Sequence, residues 1–319
     1  MRALFSLRIM MRIAFLGPPG TFGEEALLTQ ADYAEAELLP MPSHAEVINA
    51  TERGEVDLGF LGFENSIEGS VRSVLDHLIF ETELLIQREV VLPITQNLLA
   101  PPGTAMAEVR RIVSFPDAME QCREFFAREL PEAELVAANS TAEAVQLVAR
   151  ERPPATAALG TALAAKLYGL EVVAAGVEDH PDNSTRFVSV AVPDAAGIPA
   201  PTGHDKTSIV LFQQADRPGN LHLISAQFAA REINLTKFES RPTKQSLGDY
   251  CFIIDFEGHV ADEIVADCLR NLRADVGRVK FLGSYPAAGE RSEAIRRDAE
   301  AAWRDADDWI SGIRSRVRK

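Results

Sequence analysis

The sequence predicts an α/β protein built in two parts: a larger region of strands alternating with helices, then a smaller module. Three observations predict it. From Arg12 onward, short apolar runs alternate with stretches of helical periodicity, the pattern of layered α/β folds with largely parallel strands. The stretch D-A-A-G-I-P-A-P-T-G at 194–203 has neither periodicity and is rich in small residues and proline, which marks a domain boundary. Beyond it, strand, helix, strand, strand, helix and strand follow within about 80 residues, the ferredoxin-like order.

In the first part, the strand candidates are apolar runs bounded by glycine, proline or polar turns. They are R-I-A-F-L-G (12–17), V-D-L-G-F-L-G-F (56–63), E-L-L-I-Q-R-E-V-V-L (83–92) and T-Q-N-L-L-A (95–100). R-R-I-V-S (110–114), A-E-L-V-A-A (133–138), A-T-A-A-L-G (155–160) and T-R-F-V-S-V-A-V (185–192) complete the set. A helix over 140–150 is announced by Ser140 with Glu143 three residues on, a capping-box spacing, and Gly169 after K-L-Y reads as a helix stop. In the second part, strands are expected at 207–212, 233–240, 249–256 and 278–285, with helices at 219–231 and 261–273. Residues 287–319 read as a charged helical tail with a basic end, Arg314, Arg316, Arg318 and Lys319, and residues 1–10 as an extension.

Composition narrows the function. The 319 residues are 46% hydrophobic and 25% charged, with a net charge of −15, which argues against nucleic acid or an anionic membrane as partner. An anionic metabolite would then be held by local donors in a shaped pocket. Cys122, Cys251 and Cys268 are far apart, and no signal segment or run of ~20 apolar residues is present, so a reduced, cytoplasmic protein is expected. The six histidines are scattered without ligand spacing, so neither a metal nor another cofactor is expected.

Four polar clusters sit at the ends of apolar strands, where open α/β sheets hold ligands. G-P-P-G-T-F-G-E-E-A (17–26) joins a strand, a glycine turn and a helix start. E-N-S-I-E-G-S-V (64–71) offers Glu64, Asn65 and Ser66, with Gly69 permitting a close turn. S-F-P-D-A-M-E-Q-C (114–122) offers Ser114 and Gln121, and N-S-T-R-F (183–187) offers an amide, two hydroxyls and an arginine at the mouth of a strand. No Ser-His-Asp set is legible, and the motifs of hydride and phosphoryl transfer are absent. The available groups suit an anionic small molecule and a step that needs a positioned proton donor.

Taken together, G-P-P-G-T-F at 17–22, E-N-S-I-E-G-S-V at 64–71 and D-N-S-T-R-F at 182–187 resemble three motifs of prephenate dehydratase, in the family's order. E-S-R-P at 239–242 and F-L-G-S-Y-P at 281–286 resemble its ACT regulatory module. The resemblance implies a two-lobed catalytic region over 11–193, similar to periplasmic binding proteins, with the second lobe at about 93–178 and the ACT module at 206–286. It implies Thr185 as the proton donor, with Arg186, Glu64, Asn65, Ser114 and Gln121 linked to activity. Gly20, Thr21, Ser66, Gly69, Asn183, Ser184 and Phe187 would line the substrate. Asn220, Leu221, Asn234, Leu235, Glu239, Ser240 and Arg241 would hold phenylalanine as effector at an interface between ACT modules of a homodimer or homotetramer. There are departures: Phe115, Asp117, Gly62 and Gly23 differ from residues common in the family, and Asn220 stands in R-P-G-N-L where the family usually reads G-A-L.

The expected activity is conversion of prephenate to phenylpyruvate with loss of water and CO₂, under feedback by phenylalanine. Two alternatives are an arogenate-preferring dehydratase and a non-catalytic two-lobed amino-acid sensor. A sensor would need no proton donor, so Thr185 separates it from the lyase.

Overall fold

Alternating apolar runs and helices resolve into three sheets. The computed structural model describes residues 10–213, 218–244, 249–289, 309–310 and 312–315. The extension at 1–10 save Met10, Arg217 and most of the tail, with Arg316, Arg318 and Lys319, lie outside them. The chain divides into two compact units, Met1–Thr82 with Val90–Ala191 and Glu83–Glu89 with Val192–Lys319.

The first unit has two lobes. In the first lobe β1 (Arg12–Leu16), β2 (Glu37–Met41), β3 (Leu58–Asn65), β4 (Gly69–Ser70) and β5 (Leu85–Pro93) join the returning strand. The second lobe holds β6 (Asn97–Ala100), β7 (Arg111–Ser114), β8 (Glu134–Ala137), β9 (Thr156–Gly160) and β10 (Glu171–Ala175), after which β11 (Ser184–Ala191) re-enters the first sheet. The strand orders are β2-β1-β3-β11-β5, with β4 on β3, and β10-β6-β9-β7-β8. The sheets are mixed rather than largely parallel. β1 pairs parallel with β2 and β3, and β7 with β8 and β9, but β11 runs antiparallel to β3 because it comes back from the other lobe. For the same reason β6 and β10, which bring the chain into and out of the second lobe, are antiparallel to their neighbours.

Local chemistry sets the helix ends. Ser140 caps the helix Thr141–Glu151 by accepting from the Glu143 N–H at 3.0 Å, and Ala142, Ala144, Val145 and Val148 form its buried face. The helix Ala162–Tyr168 stops at Gly169, whose φ is +66°. β2 and β10 are missing from the expected strands although L-L-P-M and V-V-A-A are apolar runs; both are half-exposed edge strands, and β2 carries Pro40.

The second unit follows the anticipated order: β12 (Asp205–Gln213), helix Asn220–Ala229, β13 (Leu235–Pro242), β14 (Tyr250–Glu257), helix Glu263–Asn271 and β15 (Gly277–Pro286). Its sheet order is β13-β14-β12-β15, antiparallel throughout. Ile209, Leu211, Ile224, Phe228, Phe252 and Val265 lie in its core. The segment Glu83–Glu89, expected inside the first region, clusters with this unit. Glu89 is buried and accepts from Lys206 Nζ at 2.8 and 3.2 Å and from the Ala288 N–H at 2.8 Å. Gly283 of F-L-G-S-Y-P explains itself here, since a Cβ on it would come within 2.6 Å of the Ile86 carbonyl oxygen. β5 therefore begins in the second unit and ends in the first.

Candidate active site

The E-N-S and N-S-T-R-F motifs are distant in sequence and adjacent in the first sheet. In the antiparallel pair β3/β11, Thr185 stands opposite Asn65 and Arg186 opposite Glu64, with a register shift just after Arg186. The three residues Ser66, Ile67 and Glu68 turn β3 into β4, where Asn65 pairs with Gly69. Asn65 Oδ1 accepts from the N–H groups of Ile67 and Glu68 at 2.9 and 3.0 Å, which fixes the amide so that Nδ2 faces the other motif. Nδ2 donates to Asn183 Oδ1 at 2.8 Å and to Thr185 Oγ1 at 3.0 Å. Ser66 Oγ donates to Asn183 Oδ1 at 3.2 Å and accepts from the Ser184 N–H at 3.0 Å. Glu64, Asn65, Ser66, Asn183, Ser184, Thr185 and Arg186 thus form one joined constellation.

Arg186 is 9% exposed, its guanidinium 4.6 Å from the centre of the Phe63 ring and 3.3 Å from Glu64 Oε2. The carboxylate and the ring orient the fork from two sides. The second lobe reaches the constellation through Gln121: its Nε2 donates to Glu68 Oε1 at 3.3 Å, and its Oε1 accepts from Asn183 Nδ2 at 3.2 Å.

Other expected residues stand apart. Phe187 is a core side chain, stacked on Phe60 with ring centres 5.4 Å apart; the register shift beside it falls on β3, where Phe63 is the extra residue. Ser114 ends β7 fully buried, and its Oγ has no hydrogen-bond partner among the described residues. Thr21 caps the helix Phe22–Leu28, accepting from the Glu24 N–H at 3.3 Å, and donates to the Leu16 carbonyl at 3.1 Å. The Gly20 N–H donates to the Glu24 carboxylate, which leaves no Gly20 donor for an anion. Burial pushes the neighbouring Glu25 carboxyl above its ordinary range.

Sequence reasoning missed Glu68, Phe63, Thr161 and Tyr168. The last two touch the glycine turn from the second lobe: Thr161 Oγ1 donates to the Gly20 carbonyl at 2.9 Å and Tyr168 Oη to the Pro19 carbonyl at 2.7 Å. A signal existed, since Thr161 directly follows β9 and caps a helix, the same strand-end placement as the other clusters.

The second unit holds a cavity of about 380 Å³ lined by Gln213, Gly219, Asn220, Leu221, Ser240, Tyr250 and Phe252. Asn220 Nδ2 donates to Gln213 Oε1 at 2.7 Å on one wall. Three expected effector residues, Asn220, Leu221 and Ser240, line it. Four do not. Glu239 and Arg241 point to the opposite face of β13 by strand alternation and sit 3.5 Å from each other, Asn234 donates to Glu257 at 3.1 Å, and Leu235 packs on the core. Among the described residues no helix is long and apolar enough to cross a membrane, and no His/Cys/Asp/Glu group could hold a metal ion.

Comparison with known proteins gives the family. The family model for prephenate dehydratase matches residues 13–195. A prephenate dehydratase of Mycolicibacterium vanbaalenii is 41% identical over 96% of this chain and 99% of its own. The crystal structure of an Arthrobacter aurescens prephenate dehydratase in complex with L-Phe has a TM-score of 0.84 at 37% identity, covering 96% of this chain and 100% of that one. A structure described as GqqA, a quorum quenching acylase, has a TM-score of 0.76 at 31% identity, covering 87% of this chain and 98% of that one. With the family model spanning more than half its length and a curated relative matched almost end to end, the chain belongs to the prephenate dehydratase family and is an enzyme of that class.

Proposed function

We propose that the reaction takes place at the Asn65–Thr185 pair, that its substrate is prephenate rather than arogenate, and that phenylalanine inhibits it from the second unit. The observation that carries the proposal is the 3.0 Å hydrogen bond from Asn65 to Thr185 Oγ1, with the Glu64–Arg186 pair in the next register position. In prephenate the bond from the ring to its carboxylate breaks and its electron pair enters the ring. The hydroxyl para to it leaves with its own electron pair and takes up a proton. Thr185 hydrogen-bonds the departing oxygen and passes it a proton. A threonine hydroxyl is a very weak acid, so the donor from Asn65 matters: it stabilises the negative charge that develops on Oγ1 as the proton moves. Arg186, held by Glu64 and Phe63, balances a substrate carboxylate. An acylase activity is less well served, because the group beside Thr185 is an amide without a basic atom to activate a nucleophile.

Regulation rests on the cavity beside Asn220 and Ser240, whose amide, hydroxyl and aromatic walls suit an aromatic amino acid, and on the L-Phe complex of the Arthrobacter relative. β5, shared by both units, gives the signal a covalent route. Exposed Leu221, Leu223, Phe238 and Tyr250 near this cavity would be covered when ACT modules pair in a homodimer or homotetramer, in a cytoplasmic enzyme. The test mixes purified protein with prephenate or arogenate, with and without phenylalanine, beside Thr185→Val. Rapid phenylpyruvate formation lost in Thr185→Val and inhibited by phenylalanine is the expected result. Turnover that survives Thr185→Val would overturn the site assignment, and a phenylalanine series without effect would overturn the regulation.

A further inference from the structure

Beside the bonds of Gln121 to Glu68 and Asn183, the two lobes of the first unit are tied at two further places. Near β5 and β11, the chain segments that pass between lobes are joined by the Ile94 N–H donating to the Asn183 carbonyl at 2.8 Å and the Val177 N–H donating to the Gln96 carbonyl at 2.9 Å. This neck is covalent and cannot come apart. The second tie is on β1, which lies two strands from β11, roughly 10 Å at normal strand spacing. There the glycine turn presents two successive carbonyls, of Pro19 and Gly20, to the hydroxyls of Tyr168 and Thr161. Gln146 Nε2 donates to Tyr168 Oη at 2.8 Å, which aims the tyrosine proton at Pro19. The contact is close: a Cβ on Gly20, whose φ is +93°, would lie 2.9 Å from Ala164 Cβ. Of the strands that carry the constellation, β3 lies between these two ties and β11 borders the first.

We propose that the Tyr168–Pro19 and Thr161–Gly20 bonds are a releasable clasp that holds the lobes closed over the Asn65–Thr185 site, and that Tyr168 and Thr161 are positioning residues for the dehydratase reaction. The first lobe supplies Asn65, Thr185 and Arg186, and the second supplies Gln121, so a substrate meets the complete set only when the lobes are together. The clasp keeps the free enzyme in that state, and its loss makes substrate binding do the closing. An apparent affinity falls by the fraction of molecules that are already closed, while the step after closure is unchanged.

This inference rests on the site assignment above, and the experiment separates the two. Tyr168→Phe removes one hydroxyl and keeps the ring. It should raise KM about fivefold, the size of one net hydrogen bond, with kcat within twofold. Thr161→Ser should keep the wild-type KM, and Thr161→Val should raise it. Lobe separation is read directly from dyes on Glu52→Cys and Glu132→Cys, both exposed, the three native cysteines being buried. In a Thr185→Val background, free Tyr168→Phe should show a longer inter-dye distance than its parent, and saturating prephenate should restore the shorter one. An unchanged distance in free Tyr168→Phe, or a fall in kcat at constant KM, would overturn the clasp whatever the fate of Thr185. Turnover surviving in Thr185→Val would overturn the site assignment while the dye distances still judge the clasp.

Discussion

Replacing Asn65 by aspartate reverses one donor while keeping the turn around it. Oδ1 of the native amide accepts from the Ile67 and Glu68 N–H groups, and an aspartate oxygen accepts from both equally well. Nδ2, by contrast, donates to Asn183 and Thr185, and an aspartate oxygen cannot. Two hydrogen bonds are lost at about 1 kcal/mol each. The new charge also stands two hydrogen bonds, about 5 Å, from a substrate oxygen held by Thr185. Repulsion at an effective dielectric constant of 20 adds about 3 kcal/mol. Together these take about 5 kcal/mol from the transition state, a loss of kcat/KM on the order of 10³–10⁴. The Asn183 Oδ1 still accepts from Ser66, so the loop remains anchored and far-UV circular dichroism should match the wild type. The assay follows phenylpyruvate from prephenate at neutral pH and low substrate. Asn65→Asp within tenfold of wild type, in a protein with unchanged circular dichroism, would refute the assignment of Asn65 as the donor that supports Thr185.

Three further outcomes follow from groups outside the site. Burial, and secondarily the nearby His77, lowers the pKa of His44 below its ordinary value, so the unfolded chain binds the extra proton first. The associated stability is fully present above about pH 6.5 and is lost as pH falls through the folded-state value; urea midpoints of His44→Gln measured from pH 7 to 5 should fall less steeply than those of the wild type. Lys206→Met leaves the buried Glu89 carboxylate without its lysine and should cost about 3 kcal/mol, with Glu89→Leu/Lys206→Met recovering much of it, as read by chemical denaturation. The cysteines are buried, with the Cys268 thiol pushed up to about 11 and Cys122 higher still by burial, so a disulfide reagent at pH 8 should titrate no thiol in the folded protein and three after denaturation.

What the sequence reveals here depends on how each residue's role is encoded. Strands buried on both faces, such as Thr156–Gly160, read as continuous apolar runs, but so do the half-exposed edge strands Glu37–Met41 and Glu171–Ala175, with L-L-P-M and V-V-A-A, so an apolar run does not say which strand lies at an edge. Asn65 and Thr185 are legible as strand-end polar groups, but their pairing is not, because 120 residues separate them and only the antiparallel return of β11 brings them together. Phe187 shows a related limit: the last residue of a polar motif stacks on Phe60 in the first-lobe core, and nothing in N-S-T-R-F names that partner. The positions expected to hold an effector show the same limit, since alternation along β13 aims Ser240 at the cavity and its neighbours Glu239 and Arg241 away from it. Thr161 and Tyr168 act by touching backbone carbonyls, and a carbonyl accepts a hydroxyl whatever side chain its residue bears. No residue pattern in G-P-P-G-T-F announces its partner, so a closing contact between lobes becomes visible only when both lobes have been folded.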